Sequence, residues 1–124
     1  LVTHDIALAA DTCTQAMVMY AGHVMERAPM AGLLSRPGHP YTAALLGAMP
    51  RLDSPRDLTL TAIDGEAPGA GAVLPGCPFA PRCAYAEAEC LAELPPLSPG
   101  PAGGQTRCLR VDQIAGALAR EEMA

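Results

Sequence analysis

Apolar and polar positions along the chain form short runs that are repeatedly interrupted. Ile6, Ala9, Ala10 and Cys13 recur at i, i+3, i+4 and i+7, which predicts a helix over Ile6 to about Cys13 with one apolar face. Asp5 stands at its N-cap position, and Cys13 is read as core. Leu1-Val2-Thr3, just upstream, reads as the last residues of a strand. Two β-rich runs, Met17–Tyr20 and His23–Glu26, flank Ala21-Gly22 and predict a hairpin. Gly22 can supply the positive φ that such a turn needs.

Beyond the hairpin a short helix is expected over roughly Met30 to Ser35, stopped by Pro37 and Gly38. A second helix starts at Pro40, which suits a first helical turn, and ends before Pro50. Its expected apolar stripe is Tyr41, Ala44, Leu45 and Ala48. The alternation in Leu58 to Ile63 reads as a strand closed by an Asp64-Gly65 turn. Glu66 to Gly76 reads as a linker, Ala84 to Glu93 as helix, and Leu94 to Gly104 as a Pro/Gly loop. An amphipathic helix over about Val111 to Glu122 ends the chain.

Composition restricts what these elements can build. The 124 residues suffice for one small domain, but there is no Trp and only one Phe, so the core must come from Ala, Leu, Val and Met. Thirteen prolines and twelve glycines predict much irregular backbone. The net charge is −5 and the eight basic residues, all Arg, are scattered, which argues against nucleic-acid binding through a basic stripe. No apolar run approaches the roughly 20 residues of a membrane span, and no signal peptide is evident at the start. The chain opens inside an apolar run without Met, as a fragment would.

Without a secretion signal, five cysteines point to free thiols or metal ligands rather than to a disulfide framework. Four are spaced Cys77-x5-Cys83-x6-Cys90-x17-Cys108, wider than the C-x2–4-C pairs of zinc knuckles. If Ala84 to Glu89 is helical, Cys83 and Cys90 lie two turns apart, about 10 Å along the axis. A disulfide needs Cα atoms within roughly 4.4–6.8 Å, and one zinc ion would require the helix to break. A cubane iron–sulfur cluster spreads its thiolates further and tolerates irregular spacing, with Arg82 or Arg107 able to temper their charge. Three readings stand: a four-iron cluster, zinc behind it, and four small apolar residues packed under a loop.

Other candidates are weaker. His23 is expected to be solvated, and His39 to cap or pack rather than bind metal. Met17, Met19, Met25 and Met30 are expected in core or interface, and Glu87, Glu89 and Glu93 on a solvated helix face. No Ser/His/Asp or Cys/His catalytic spacing is present.

Thr3-His4-Asp5, the helix after it and "VMYAGHVME" together resemble the switch-histidine region of ABC transporter ATPases. "HPYTAALLGAMPRL" (His39 to Leu52) is similar to the element that follows the nucleotide-binding core in the oligopeptide/dipeptide/nickel branch of that family. "IDGEAP" and "GCPFAPRC" with Cys90 and Cys108 resemble the branch's C-terminal extension. The resemblance implies an α/β fold: the end of a P-loop ABC-type ATPase domain over 1–50, and a Pro/Gly- and Cys-rich extension over 51–124. It implies that His4 contacts the γ-phosphate of ATP, through a neutral imidazole that donates one hydrogen bond. It also implies ATP and Mg²⁺ in the intact parent, and a [4Fe–4S] cluster on Cys77, Cys83, Cys90 and Cys108 with a structural or redox-sensing role.

The implied partners are a second ATPase subunit, transmembrane permease subunits and, indirectly, a solute-binding protein. The implied location is the inner face of the cell membrane, as a peripheral cytoplasmic subunit. Thr14-Gln15 stands where many members carry Asp-Arg, which puts any salt bridge there in doubt but not the role of His4. The chain has no Lys, hence no G-x-x-x-x-G-K-[ST] loop, and neither a signature motif nor an Asp-Glu strand end, so it should not hydrolyse ATP alone. The competing reading is a standalone Cys-rich metal-binding or interaction module without a nucleotide role.

Overall fold

A computed structural model describes residues 1–48, 65, 69, 74–101 and 103–123, with side chains to 118. Its centre is the hairpin of β1 (Gln15–Tyr20) and β2 (His23–Pro29). The turn between them has φ +49° at Ala21 and +83° at Gly22. Positive φ at both central residues is the two-residue turn whose twist matches the strands. Gly22 adopts it freely, whereas Ala21 carries a Cβ penalty. Along β1 the alternation holds, with Tyr20 inward and Met17 and Met19 exposed. In β2 it breaks. Val18 opposes Glu26 and Met19 opposes Val24, so Met25 is an extra residue on β2. That bulge turns both Met25 and Glu26 into the interior, where each is almost fully buried.

Two very short strands extend the sheet. β3 (Ser98–Pro99) pairs with β4 (Gln105–Thr106), and β4 pairs with β2 through Glu26–Thr106 and Arg27–Gln105. The order is β1-β2-β4-β3, and every pairing is antiparallel. The Pro/Gly loop expected over Leu94 to Gly104 thus contributes β3, because β4, docked on β2, offers it an edge. Gly104 permits the approach: a Cβ there would strike the Arg27 carbonyl and Ala28.

The helices follow local capping chemistry. α1 (Ile6–Thr12) is capped by the Asp5 carboxylate, which accepts from the Leu8 N–H. Its expected apolar face, Ile6, Ala9, Ala10 and Cys13, is only half-buried, so Cys13 is not core. Leu1–Thr3 is not a strand, and Val2 is fully exposed. A strand exists only by pairing, and these residues pair with no strand of the described sheet.

α2 (Met30–Ser35) buries Met30 and Leu33, and α3 (Pro40–Gly47) begins at the cap His39. α3 buries Thr42, Ala43 and Leu46, not Tyr41, Ala44, Leu45 and Ala48. The helix is apolar on nearly every side, so pattern alone cannot choose its inward face; packing against α5 (Val111–Met123) chooses it. The Leu58–Ile63 strand, the Asp64 turn and most of the expected linker lie outside the described residues. Among the described residues no helix is long and apolar enough to cross a membrane.

Two apolar clusters stabilise this arrangement. Tyr20, Met25, Cys77, Phe79 and Ala80 form one, with Tyr41, Cys83, Ala86 and Cys90 packed on it. Ala43, Ile114 and Leu118 form the other, with Tyr85 and Cys108. The single Phe is the hub of the first: its ring centroid lies 5.5 Å from Tyr20, 5.2 Å from Tyr41 and 6.2 Å from His39. Such ring pairs are worth about 0.5–1.5 kcal/mol each beyond their buried area.

Candidate metal centre

Cys77 follows Gly76, whose lack of a side chain lets two backbones meet. The Cys77 N–H donates to the Cys90 carbonyl at 2.8 Å, and a Cβ on Gly76 would overlap backbone atoms of Cys90 and Leu91. Pro78 and Pro81 bracket a tight path into a 3-10 turn (Ala80–Arg82), which delivers Cys83. The Ala80 N–H donates to the Cys77 carbonyl and the Cys83 N–H to the Ala80 carbonyl.

The spacer between Cys83 and Cys90 is not the expected helix. Residues 84 and 85 form a turn, 86 and 87 are irregular with Glu87 extended, and α4 (Ala88–Ala92) starts only afterwards. The Tyr85 N–H donates to the Cys83 sulfur at 3.4 Å and the Ala86 N–H to the Cys83 carbonyl. Tyr85 itself packs on the Ile114 and Leu118 cluster, and its carbonyl accepts from Arg110. The local bonds to Cys83 together with the tertiary tie to Arg110 outweigh the helix preference of Ala84-Tyr85-Ala86-Glu87. The axial separation inferred from a continuous helix therefore does not apply.

All four cysteines line one small cavity of about 20 Å³ between the two apolar clusters, roughly the room of one water. Its wall includes His39, Phe79, Arg107 and Arg110 and, among the described residues, no carboxylate. All five cysteines of the chain are free thiols. Burial raises the pKa of Cys77 and Cys83, and pushes Cys108 up to about 11. Backbone amides oppose the rise: Phe79 and Ala80 at Cys77, Tyr85 and Ala86 at Cys83, and Arg110 at Cys108. Cys83 also feels repulsion from Cys77 and Cys90, and Cys108 from the other three. Cys77, Cys83 and Cys108 are thus protonated at neutral pH until a cation stabilises their thiolates. Among the described residues no three His, Cys, Asp or Glu side chains are grouped so that they could hold a metal ion.

The arginines divide differently from expectation. Arg107 and Arg110 reach the cavity wall, whereas Arg82 donates to the Tyr20 hydroxyl at 3.1 Å. Arg110 was not legible in advance; its only signal is its place two residues after Cys108. His39 caps α3 as expected, its Nδ1 accepting from the Tyr41 N–H at 3.0 Å. That bond assigns the proton to Nε2. Burial lowers the His39 pKa to about 4.

Glu26 was missed as a buried acid. Its Oε2 accepts from the Gly38 N–H at 2.6 Å and its carboxyl approaches Thr42, yet Oε1 and the Thr42 hydroxyl lack hydrogen-bond partners. Desolvation raises its pKa. His4 is exposed, lies just before the Asp5 cap of α1, and takes no part in the cysteine cavity. His23 is exposed, Met25 and Met30 are buried, and Glu87 pairs with Arg110 at 3.4 Å. Cys13 sits apart, 3.6 Å from the Thr12 hydroxyl.

Residues 25–90, more than half of the chain, match the family described as the oligopeptide/dipeptide transporter C-terminal region. Along 98% of its length the chain is 38% identical to the oligopeptide transport ATP-binding protein OppD of Mycobacterium bovis, and equally to that of Mycobacterium tuberculosis, covering 20% of each. It is 38% identical over 91% of its length to a Sinorhizobium fredii protein named "Probable peptide ABC transporter ATP-binding protein y4tR", covering 34% of it. The chain thus spans between a fifth and about a third of the length of these relatives. With the HPYT cap, the Gly76 approach and the cysteine turns all inside or beside the matched segment, the chain belongs to the oligopeptide/dipeptide transporter C-terminal region family.

Proposed function

We propose that this chain is the C-terminal part of an ATP-binding subunit that couples ATP hydrolysis to import of oligopeptides or dipeptides, or nickel, across the cytoplasmic membrane. The observation that carries it is the similarity along 98% of the chain to an oligopeptide transport ATP-binding protein. In this reading residues 1–50 end the ATPase domain and 51–124 form the extension. ATP and Mg²⁺ belong to the intact subunit, which pairs with a second ATPase subunit and with membrane permeases and is served by a solute-binding protein. It sits peripherally on the inner face of the membrane.

His4 donates to the γ-phosphate. Its exposure and its place ahead of a capped helix support that role, since an imidazole so placed can meet a ligand held by another segment. In the intact subunit, His4→Ala should lower the ATPase kcat by about 10²–10³-fold, the usual cost of losing one donor to a developing charge. An unchanged rate refutes the assignment.

For the cysteines we read a [4Fe–4S] cluster held by Cys77, Cys83, Cys90 and Cys108. The donor chemistry supports it: four soft ligands on one cavity, no carboxylate among the described residues of its wall, and amides directed at three of the four residues. The cavity holds about one water, so uptake of a cluster parts the 83–90 and 107–110 segments. Bound there, a cluster supplies a redox-responsive cross-link between these segments. Protein purified without oxygen should be brown, with iron and sulfide in equal amounts, and Cys→Ser at any of the four positions should abolish both. Colourless protein with one zinc per chain refutes the reading.

A further inference from the structure

We infer that Arg107 and Arg110 are positioning residues that staple the Cys108 segment over the cysteine cavity; the part of this inference that concerns a bound cluster rests on the reading just proposed. Cys108 comes from far along the chain, after a Pro/Gly-rich stretch and a strand of only two residues. Something must hold it opposite the other three thiols. The two guanidiniums that flank it do so. Arg107 donates through Nε to the Val24 carbonyl at 2.8 Å and through Nη1 to the Pro95 carbonyl at 2.9 Å, while its backbone N–H donates to the Met25 carbonyl. Arg110 donates through Nη1 to the Tyr85 carbonyl, and its Nη2 lies 3.4 Å from the Glu87 carboxylate.

The ties therefore run to β2, to the turn between Cys83 and Cys90, and to the segment just after α4. These are the elements that carry or support Cys83 and Cys90. Both arginines are half-buried and line the cavity. Each uses the planar fork of its guanidinium to reach two acceptors at once, which a lysine's point charge cannot reproduce. Both also belong to the wall of the cavity that the four cysteines share, and a positive charge in that wall favours the reduced, more negative state of any bound cluster.

The two functions separate experimentally. Arg107→Met and Arg110→Met remove both the fork and the charge; Arg107→Lys and Arg110→Lys keep the charge alone. In the metal-free full chain, Cys108 should be alkylated by iodoacetamide at least tenfold faster in all four variants than in the wild type, with sites mapped by mass spectrometry. In anaerobic, cluster-loaded protein, iron loss to a chelator should accelerate at least tenfold in all four. The reduction potential should fall by about 59 mV, a tenfold change in a one-electron equilibrium, in the Met variants only. Where a Met variant does not fold, the Lys variant carries the test. Equal alkylation in wild type and variants overturns the staple whether or not a cluster binds. Restoration of iron retention by Lys also overturns it, because charge alone then suffices. A wild type that protects Cys108 yet binds no iron leaves the staple standing and removes the cluster reading.

Discussion

Replacing Gly76 with Ala tests the closest approach in the cysteine region. The added methyl would overlap the Cys90 carbonyl oxygen and the Leu91 carbonyl group, all backbone atoms that no rotamer change can move aside. The only relief is to separate residues 76–77 from Cys90 and Leu91 in α4. That separation breaks the 2.8 Å bond from the Cys77 N–H to the Cys90 carbonyl and leaves a buried donor unpaired. Overpacking costs about 1–3 kcal/mol and loss of the bond roughly 1 kcal/mol more, so the expected destabilisation is about 2–4 kcal/mol. Against a domain stability of about 5–15 kcal/mol this is a large fraction. Gly116→Ala is the matched control. Gly116 is an exposed position inside α5 where a Cβ meets nothing within 4 Å, so the same change should stabilise by about 0.5–1 kcal/mol. Urea unfolding followed by far-ultraviolet circular dichroism reads both. With a slope of about 1–3 kcal/mol/M, the Gly76→Ala midpoint should drop by roughly 1–2 M while that of Gly116→Ala rises. A Gly76→Ala midpoint within error of wild type would refute the backbone-approach argument.

Ala21→Asn should stabilise the hairpin by about 0.5–1 kcal/mol, because Asn tolerates the left-handed region that Ala21 occupies at φ +49°; thermal unfolding checks it. His39 has a folded pKa of about 4, below the usual 6.5, so its contribution is complete above about pH 6.5 and is lost as pH falls toward 4. His39→Asn keeps a cap acceptor for the Tyr41 N–H and should flatten that part of the stability–pH curve, measured by denaturant midpoints from pH 4 to 7. Glu26 has the opposite sign: its folded pKa is raised, so the wild type loses stability as pH climbs from 4.5 through that raised value. Glu26→Gln keeps an acceptor for Gly38 and adds a donor for the Thr42 hydroxyl, so its advantage over wild type should grow with pH across the same window; a constant difference would show that ionisation is not the cause.

Elements with strong local signals were legible in advance. The Ala21-Gly22 turn, the Asp5 and His39 caps and α2 stand where their residues predict, because each is decided by φ preference or by a side chain bonding its own backbone. The signals failed where a neighbour decides. α3 is apolar all round, so its buried face had no sequence mark. The helix expected across Ala84 to Glu87 gives way to a turn whose Tyr85 amide and carbonyl bond Cys83 and Arg110. The bulge that sends Glu26 inward depends on its pairing with Val18 and on the Gly38 amide that receives it.

For the candidate site the division is the same. Spacing alone singled out Cys77, Cys83, Cys90 and Cys108 as a set, since cysteines are few and these alternate with prolines and turns. That they line one cavity, and that Arg107 and Arg110 rather than Arg82 share its wall, follows from the closeness of Cys77 to Cys90 and from β4 docking on β2. Such contacts bring together residues distant along the chain, and only the balance of burial, backbone pairing and side-chain reach in three dimensions selects them. Local chemistry in the sequence determined the turns, the caps and the identity of the thiols; tertiary packing decided which of them meet, because meeting is a property of two segments and not of either alone.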